Sequence, residues 1–157
     1  MKLKKRKHIG VLVVCLVIVY AVAFVGSLFT SPATSSDWYD SIRPSITPPN
    51  WVFPVVWNVL FFLIGLSLYF AWINGEKARS RIALVFGINF VLNILWSVLY
   101  FGMRRLDLAF YEIFVLIISI ILMIYVAGKV DKKAGWLLVP YLLWVSFASV
   151  LNYLSAF

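Results

Sequence analysis

Charged and metal-binding side chains are scarce in this chain. It has six acidic residues, one histidine and one cysteine among 157 residues. A single cysteine excludes an intrachain disulfide. Cys15 falls inside a long apolar run, where it reads as a small buried hydrophobe. The one histidine, His8, lies in a basic N-terminal segment. No Cys/His metal set, no paired carboxylates and no Gly-rich phosphate loop can be assembled from the sequence. A hydrolase or a metalloenzyme is therefore not expected. Charged residues make up 13% of the chain and hydrophobic ones 64%, against roughly 25% charged in a soluble domain. A water-soluble fold of this size could not hide so much apolar surface.

The few charges are segregated. Residues 9–29, 51–73, 82–103 and 134–157 contain no Asp, Glu, Lys or Arg, and 108–128 contains one, Glu112. An α-helix needs about 20 such residues to cross the hydrocarbon core. A membrane β-barrel would instead show strands of about 10 residues with alternating polarity, and these runs do not alternate. The expected fold is all-α, a single bundle of five transmembrane helices over 1–157 with a capping first loop, residues 30–50. The first run follows a basic segment, as in a signal peptide, but it is longer than the usual core of about 7–15 residues. It reads as a retained span. Val14 before Cys15 argues against a lipoprotein signal.

Basic residues set the expected orientation. Lys2, Lys4, Lys5, Arg6 and Lys7 precede the first run. Lys77, Arg79 and Arg81 follow the second, and Lys129, Lys132 and Lys133 follow the fourth. These eleven share one side, while Arg43, Arg104 and Arg105 occupy the other. The positive-inside rule places the N-terminus in the cytoplasm and the C-terminus outside, consistent with a bacterial plasma membrane. The net charge of +8 is then a topology signal and an attraction to anionic lipid, not a nucleic-acid footprint.

Polar residues within the spans carry the functional information, because lipid penalises them. At 1.5 Å rise per residue, Trp57 and Asn58 lie about 10 Å below the outer surface. Asn93, Trp96, Ser97 and Tyr100 occupy the outer half of the third span. Trp144 is near mid-membrane, with Ser149 and Asn152 above it. Gly26 and Ser27 close the outer end of the first span. Asn89, Ser67 and Ser119 lie nearer the middle or the inner side. Asn89, Asn93, Trp96 and Tyr100 recur on one helical face, as do Trp144, Ala148 and Asn152.

A pocket of rings and amides beneath a long loop suits a flat apolar ligand with polar edges. The loop holds Trp38, Tyr39, Ile42 and Ile46, enough apolar surface to order it as a lid. Asn and Ser in spans also serve simply as interhelical hydrogen bonds. Trp51, Trp72 and Trp136 fit interfacial belts. Trp57 and Trp144 lie too deep for a belt, which leaves pocket wall or plain packing. Glu112 lies one turn inside the fourth span, where the expectation is solvation or pairing with Arg104 or Arg105 rather than a proton relay. No charged ring, repeat or broken helix marks an ion channel or a secondary transporter.

Three strings narrow the reading. Trp38-Tyr39-Asp40 with Arg43-Pro44-Ser45-Ile46-Thr47-Pro48-Pro49-Asn50-Trp51-Val52-Phe53 and Trp57 resembles the first-loop signature of the TspO/translocator-protein family, the tryptophan-rich sensory proteins related to the peripheral benzodiazepine receptor. Asn89, Asn93, Trp96-Ser97 and Phe101-Gly102 resemble the family's third-helix pattern. Pro140-Tyr141-Leu142-Leu143-Trp144, Ala148 and Asn152 resemble the fifth. The resemblance implies a five-helix bundle, usually a homodimer, whose first loop caps a pocket for porphyrins, haem-like tetrapyrroles and drug-like ligands. It implies a sensor or carrier that regulates porphyrin levels or a stress response, with a tetrapyrrole as ligand and no required cofactor. Trp38, Tyr39, Trp57, Asn93, Trp96, Ser97, Trp144 and Ala148 match ligand-binding positions.

Some bacterial members are reported to degrade protoporphyrin in light through two tryptophans, which correspond to Trp57 and Trp144. A non-catalytic modulator of other membrane proteins is the remaining alternative. The chain departs from the family at Ile46, where Trp is common. It also has Pro54-Val55 in place of Gly-Pro, which bears on the start of the second span. Animal members bind cholesterol through a motif with a basic residue after Tyr153. None follows here, so cholesterol recognition is not expected.

Overall fold

A computed structural model describes residues 2–157 of the chain, with side chains from His8 onward. The orientation signal of residues 2–7 therefore rests on sequence alone. The helices are α1 (Lys2–Ala33), α2 (Asp37–Ile42), α3 (Val52–Asn74), α4 (Arg79–Ser97), α5 (Leu106–Val130), α6 (Lys132–Trp136) and α7 (Val139–Ala156). Five helical stretches are long and apolar enough to cross a membrane: His8–Ala33, Val52–Asn74, Glu76–Gly102, Leu106–Val130 and Lys132–Ala156. The protein is a multi-pass integral membrane bundle, as the charge-free runs imply. An α-helix satisfies its own backbone, the condition for crossing hydrocarbon.

Two spans are less regular than their composition suggests. The third ends in a π-helical turn, Val98–Gly102. The fifth is broken between α6 and α7. Pro140 has no N–H to donate and its ring crowds the carbonyl four residues back, Trp136, so a continuous helix cannot pass. The chain turns through Leu137 and Leu138, where Leu138 N–H donates to the Gly135 carbonyl at 3.1 Å. By contrast Pro54 sits in the first turn of α3, where a missing N–H costs nothing. The helix starts at Val52 and runs through it.

The helices form a ring in which α3 packs on α1, α1 on α4, α4 on α5, and α5 on α6 and α7. The ring closes unevenly. The lower half of α3 lies against α6, whereas α3 scarcely touches α7. At the tight end Ser67 donates to the Ala134 carbonyl at 2.8 Å, and the Asn74 amide donates to Asp131 at 2.7 Å. Gly135 and Gly128 let α6 and α5 meet backbone to backbone; a Cβ on Gly135 would stand 2.9 Å from the Gly128 Cα. Cys15 is buried in the main core among Val19, Ile64 and Phe86. Above this end α3 and α7 part, and a cavity opens.

Residues 34–51 lie over that opening. Ser36 caps α2, accepting from Tyr39 N–H at 3.4 Å. Asp37 and Asp40 occupy its first turn, where the helix dipole favours acids. Tyr39 is buried, Trp38 and Ile42 are half-buried, and Ile46 is 53% exposed. The expectation that Ile46 helps to bury the loop does not hold: it lies in the Pro44–Thr47 turn, closed by Thr47 N–H on the Pro44 carbonyl at 3.0 Å, and stands clear of the core.

Candidate functional site

The cavity beneath the loop has a volume of about 540 Å³, within the range of sites for drug-sized ligands. Seven of the eight ligand-binding positions inferred from sequence line it: Tyr39, Trp57, Asn93, Trp96, Ser97, Trp144 and Ala148. These come from α2, α3, α4 and α7, so the bundle's uneven closure is what brings them together. Trp38 does not line it. Neighbouring residues on a helix point about 100° apart, so α2 can turn only one of Trp38 and Tyr39 inward. Trp38 instead meets the Tyr100 ring edge-on at 6.4 Å between centroids and lies under the Arg104 guanidinium at 4.9 Å. It braces the lid against the end of the third span.

The wall divides into fixed and free groups. Trp57 stacks on Phe61 at 5.3 Å and meets Tyr141 edge-on at 6.2 Å. Trp144 meets Phe53 edge-on at 5.8 Å. Neither indole N–H is bonded to a protein acceptor among the described residues. Trp96 differs: its N–H donates to Asn152 Oδ1 at 3.1 Å, and the Asn152 amide donates to the Leu106 carbonyl at 3.1 Å. Trp96 is thus locked, while Trp57 and Trp144 keep a polar edge available.

Below the cavity the amides form a chain. Asn93 Nδ2 donates to the Tyr141 hydroxyl at 3.0 Å, which donates to Asn89 Oδ1 at 3.3 Å. Asn89 Nδ2 donates to the Ser119 hydroxyl at 2.8 Å, which donates to the Leu116 carbonyl at 2.7 Å. Both readings of the span amides are therefore realised. Asn93 is cavity wall and interhelical bond together, whereas Asn89 and Ser119 bond to each other across helices outside the lining. The π-turn adds Tyr100, whose hydroxyl donates to Ser155 at 3.0 Å. A π-turn inside a span is frequently found at a functional site.

Sequence reasoning missed several contributors. Tyr20, Ala23 and Phe24 of α1 and Phe53 and Phe61 of α3 line the cavity, yet apolar residues in a span carry no mark of which way they face. Tyr141 is the junction of the amide chain. Its signal was present, a phenol deep in a span that also carries Trp144 and Asn152. Arg43 is the single charged residue in the lining among the described residues; its signal was a lone cation in the loop signature. Burial pushes the Tyr39 phenol up from its ordinary pKa, Arg43 pulls it partly back, and Asp40 adds to the rise.

Glu112 overturns its expectation. It is 8% exposed, and neither carboxyl oxygen has a hydrogen-bond partner among the described residues. Arg105 is taken by Asp107, through two bonds of 3.0 and 2.7 Å. Arg104 adopts a left-handed backbone (φ 54°) and lies over Trp38. The α5 register turns Glu112 inward with Leu116 and Ser119, away from both arginines. Trp51 and Trp136 are 68% and 72% exposed near span ends, as belt residues should be. Trp72 lies under Arg79 at 5.5 Å.

Comparison with known proteins places this architecture. The profile of the TspO/MBR family matches residues 14–156. A tryptophan-rich protein TspO of Archaeoglobus fulgidus is 42% identical over 144 residues, covering 90% of this chain and 92% of that one. A tryptophan-rich protein TspO of Chlorobaculum tepidum is 40% identical, covering 94% and 95%. The human translocator protein is 33% identical, covering 83% and 79%. With the match running from the first span to the last, the chain belongs to the TspO/MBR family.

Proposed function

We propose that the protein binds tetrapyrroles of the porphyrin or haem type in the capped cavity and acts as a membrane sensor or carrier for them. The observation that carries this reading is the wall itself: two indoles, Trp57 and Trp144, line one cavity, and neither N–H meets a protein acceptor among the described residues. A flat macrocycle offers π-faces for such rings and ring nitrogens or edge groups for such donors. The positive-inside bias supports placing the lid on the outer side of a bacterial plasma membrane, with the N-terminus in the cytoplasm. The family resemblance supports a homodimer as the working unit.

Titration of detergent-purified protein with protoporphyrin IX, followed by quenching of tryptophan fluorescence, tests the binding reading. Saturable binding that weakens about tenfold or more in Trp57→Ala and Trp144→Ala is expected, since losing a well-packed aromatic anchor costs about 2 kcal/mol or more. Absence of saturation, or affinity unchanged in both variants, refutes it.

The same two indoles favour a second reading, photo-oxidation of the bound ring by dioxygen. It predicts a new bilin-like absorption band under illumination, lost in Trp57→Phe or Trp144→Phe. Bleaching at the rate of free porphyrin rejects it.

A further inference from the structure

Across a cavity walled by six helices, only one lining residue among the described ones carries a charge, Arg43. It sits on the lid just after α2, with Pro44, Thr47 and Asn50 beside it in the lining. Its present partners are weak. The Asp40 carboxylate lies 3.5 Å away, on an exposed i,i+3 pair with side chains 32% and 66% accessible, and the Asn50 amide oxygen accepts at 3.3 Å. Exposed pairs of this kind contribute little and exchange readily. Thr47 is four residues on, brought round by the Pro44–Thr47 turn. Its hydroxyl is buried and has no hydrogen-bond partner among the described residues. A buried hydroxyl left unbonded is unusual, since such groups are almost always paired. Both residues are on the lid, and both belong to the cavity lining.

We propose that Arg43 and Thr47 form an anion anchor at the mouth of the cavity, selecting flat apolar ligands that carry a carboxylate on one edge. This rests on the reading of the cavity as a ligand container and specifies the ligand's chemistry. The carboxylate takes the guanidinium fork through two parallel bonds and accepts from the Thr47 hydroxyl. The apolar body lies below, between Trp57 and Trp144. Asp40 competes for the same guanidinium and so sets how tightly the acid is held. An esterified ligand keeps the body and loses the anchor.

The test pairs acids with their esters. Protoporphyrin IX and its dimethyl ester, and 1-pyrenebutyric acid and its methyl ester, are titrated into the detergent-solubilised full chain and into Arg43→Gln, Arg43→Lys, Thr47→Val and Asp40→Asn. The quantity read is the ratio of variant to parent affinity for each probe, which cancels partition into micelles. Loss of a charge-assisted pair predicts that Arg43→Gln weakens both acids about tenfold or more, while the esters change less than about twofold. Arg43→Lys keeps the charge without the fork and falls between. Thr47→Val weakens the acids by a smaller factor, and Asp40→Asn strengthens them. Equal effects on acid and ester, or none, overturn the anchor. If the pyrene acid alone shows the Arg43 dependence and no porphyrin binds, the anchor stands and the tetrapyrrole reading fails. If porphyrin and diester bind alike in every variant, the anchor fails and the tetrapyrrole reading stands.

Discussion

The two ends of this bundle are built on opposite principles. At the α6 end, contact is backbone to backbone: Gly128 against Gly135, and the Ser67 hydroxyl on the Ala134 carbonyl. At the lid end, helices are held apart by rings, and the space between them is left open. Lipid tails are as apolar as leucine, so no hydrophobic force drives helices together within the membrane. Close packing and hydrogen bonds must do it, and these concentrate at the tight end and in the amide chain just beneath the cavity. The closed end supplies cohesion so that the other end can stay open.

The most severe test of that division is a glycine swap at each end. A Cβ on Gly135 would lie 2.9 Å from the Gly128 Cα and 3.2 Å from the Ile124 carbonyl, both backbone atoms that cannot step aside. On Gly26, beside the cavity, it would meet only the Ser97 hydroxyl at 3.5 Å, an ordinary contact. Gly135→Ala is expected to cost roughly 1–3 kcal/mol as overpacking, and Gly135→Leu to prevent folding. Gly26→Ala should leave stability within about 0.5 kcal/mol. Thermal unfolding in detergent measures both. Equal shifts in Tm would show that cohesion is spread evenly and end the comparison.

The amide chain is the boundary between the two regimes. Tyr141→Phe removes the hydroxyl that accepts from Asn93 and donates to Asn89, leaving two buried amides short of a partner. The expected loss is about 1–3 kcal/mol, read from the same unfolding curves. It should exceed that of Ser149→Ala at the lid end, whose hydroxyl only returns to its own helix at Ser146.

How much of this was legible beforehand follows from what lipid makes costly. Charge is expensive in hydrocarbon, so charge-free runs gave the five spans, and buried amides marked the cavity region. Apolar residues are free to face lipid or protein, so the contributions of Tyr20, Phe24 and Phe53 carried no signal. The π-turn at Val98–Gly102 was equally silent. The break before Pro140 was written in the proline but hidden by the length of an uncharged run. Trp38 and Tyr39 are adjacent in one motif, and only a helix direction could separate brace from wall. Glu112 was misplaced because two arginines lay near in sequence, while the helix turned it away from them.

Glu112 sharpens the comparison in the opposite sense, because it is a cost at the open end. Its carboxyl is buried and has no partner among the described residues, a state that buries polar atoms without return. Glu112→Met is expected to stabilise the protein, by about 1 kcal/mol or somewhat more, as replacing unpaired buried polar groups by apolar ones of similar size often does. A fall in Tm instead would mean that the carboxyl finds a donor the bundle needs.

The smallest effect concerns the lid. Arg104 adopts a left-handed backbone, which costs a non-glycine residue about 1 kcal/mol, and it lies over Trp38. A cation–π contact at an exposed site contributes about 0.5–1 kcal/mol, so the two terms nearly cancel. Arg104→Ala keeps the backbone cost and removes the contact. Arg104→Gly removes both. The division between ends predicts that neither variant moves the global unfolding of the bundle by more than about 1 kcal/mol. Amide exchange in residues 36–43 should rise in both variants, because each removes the cation that holds Trp38 in place. If exchange rises equally at residues 64–71 and 134–138, lid and floor open as one unit, and the closed end does not carry the bundle alone.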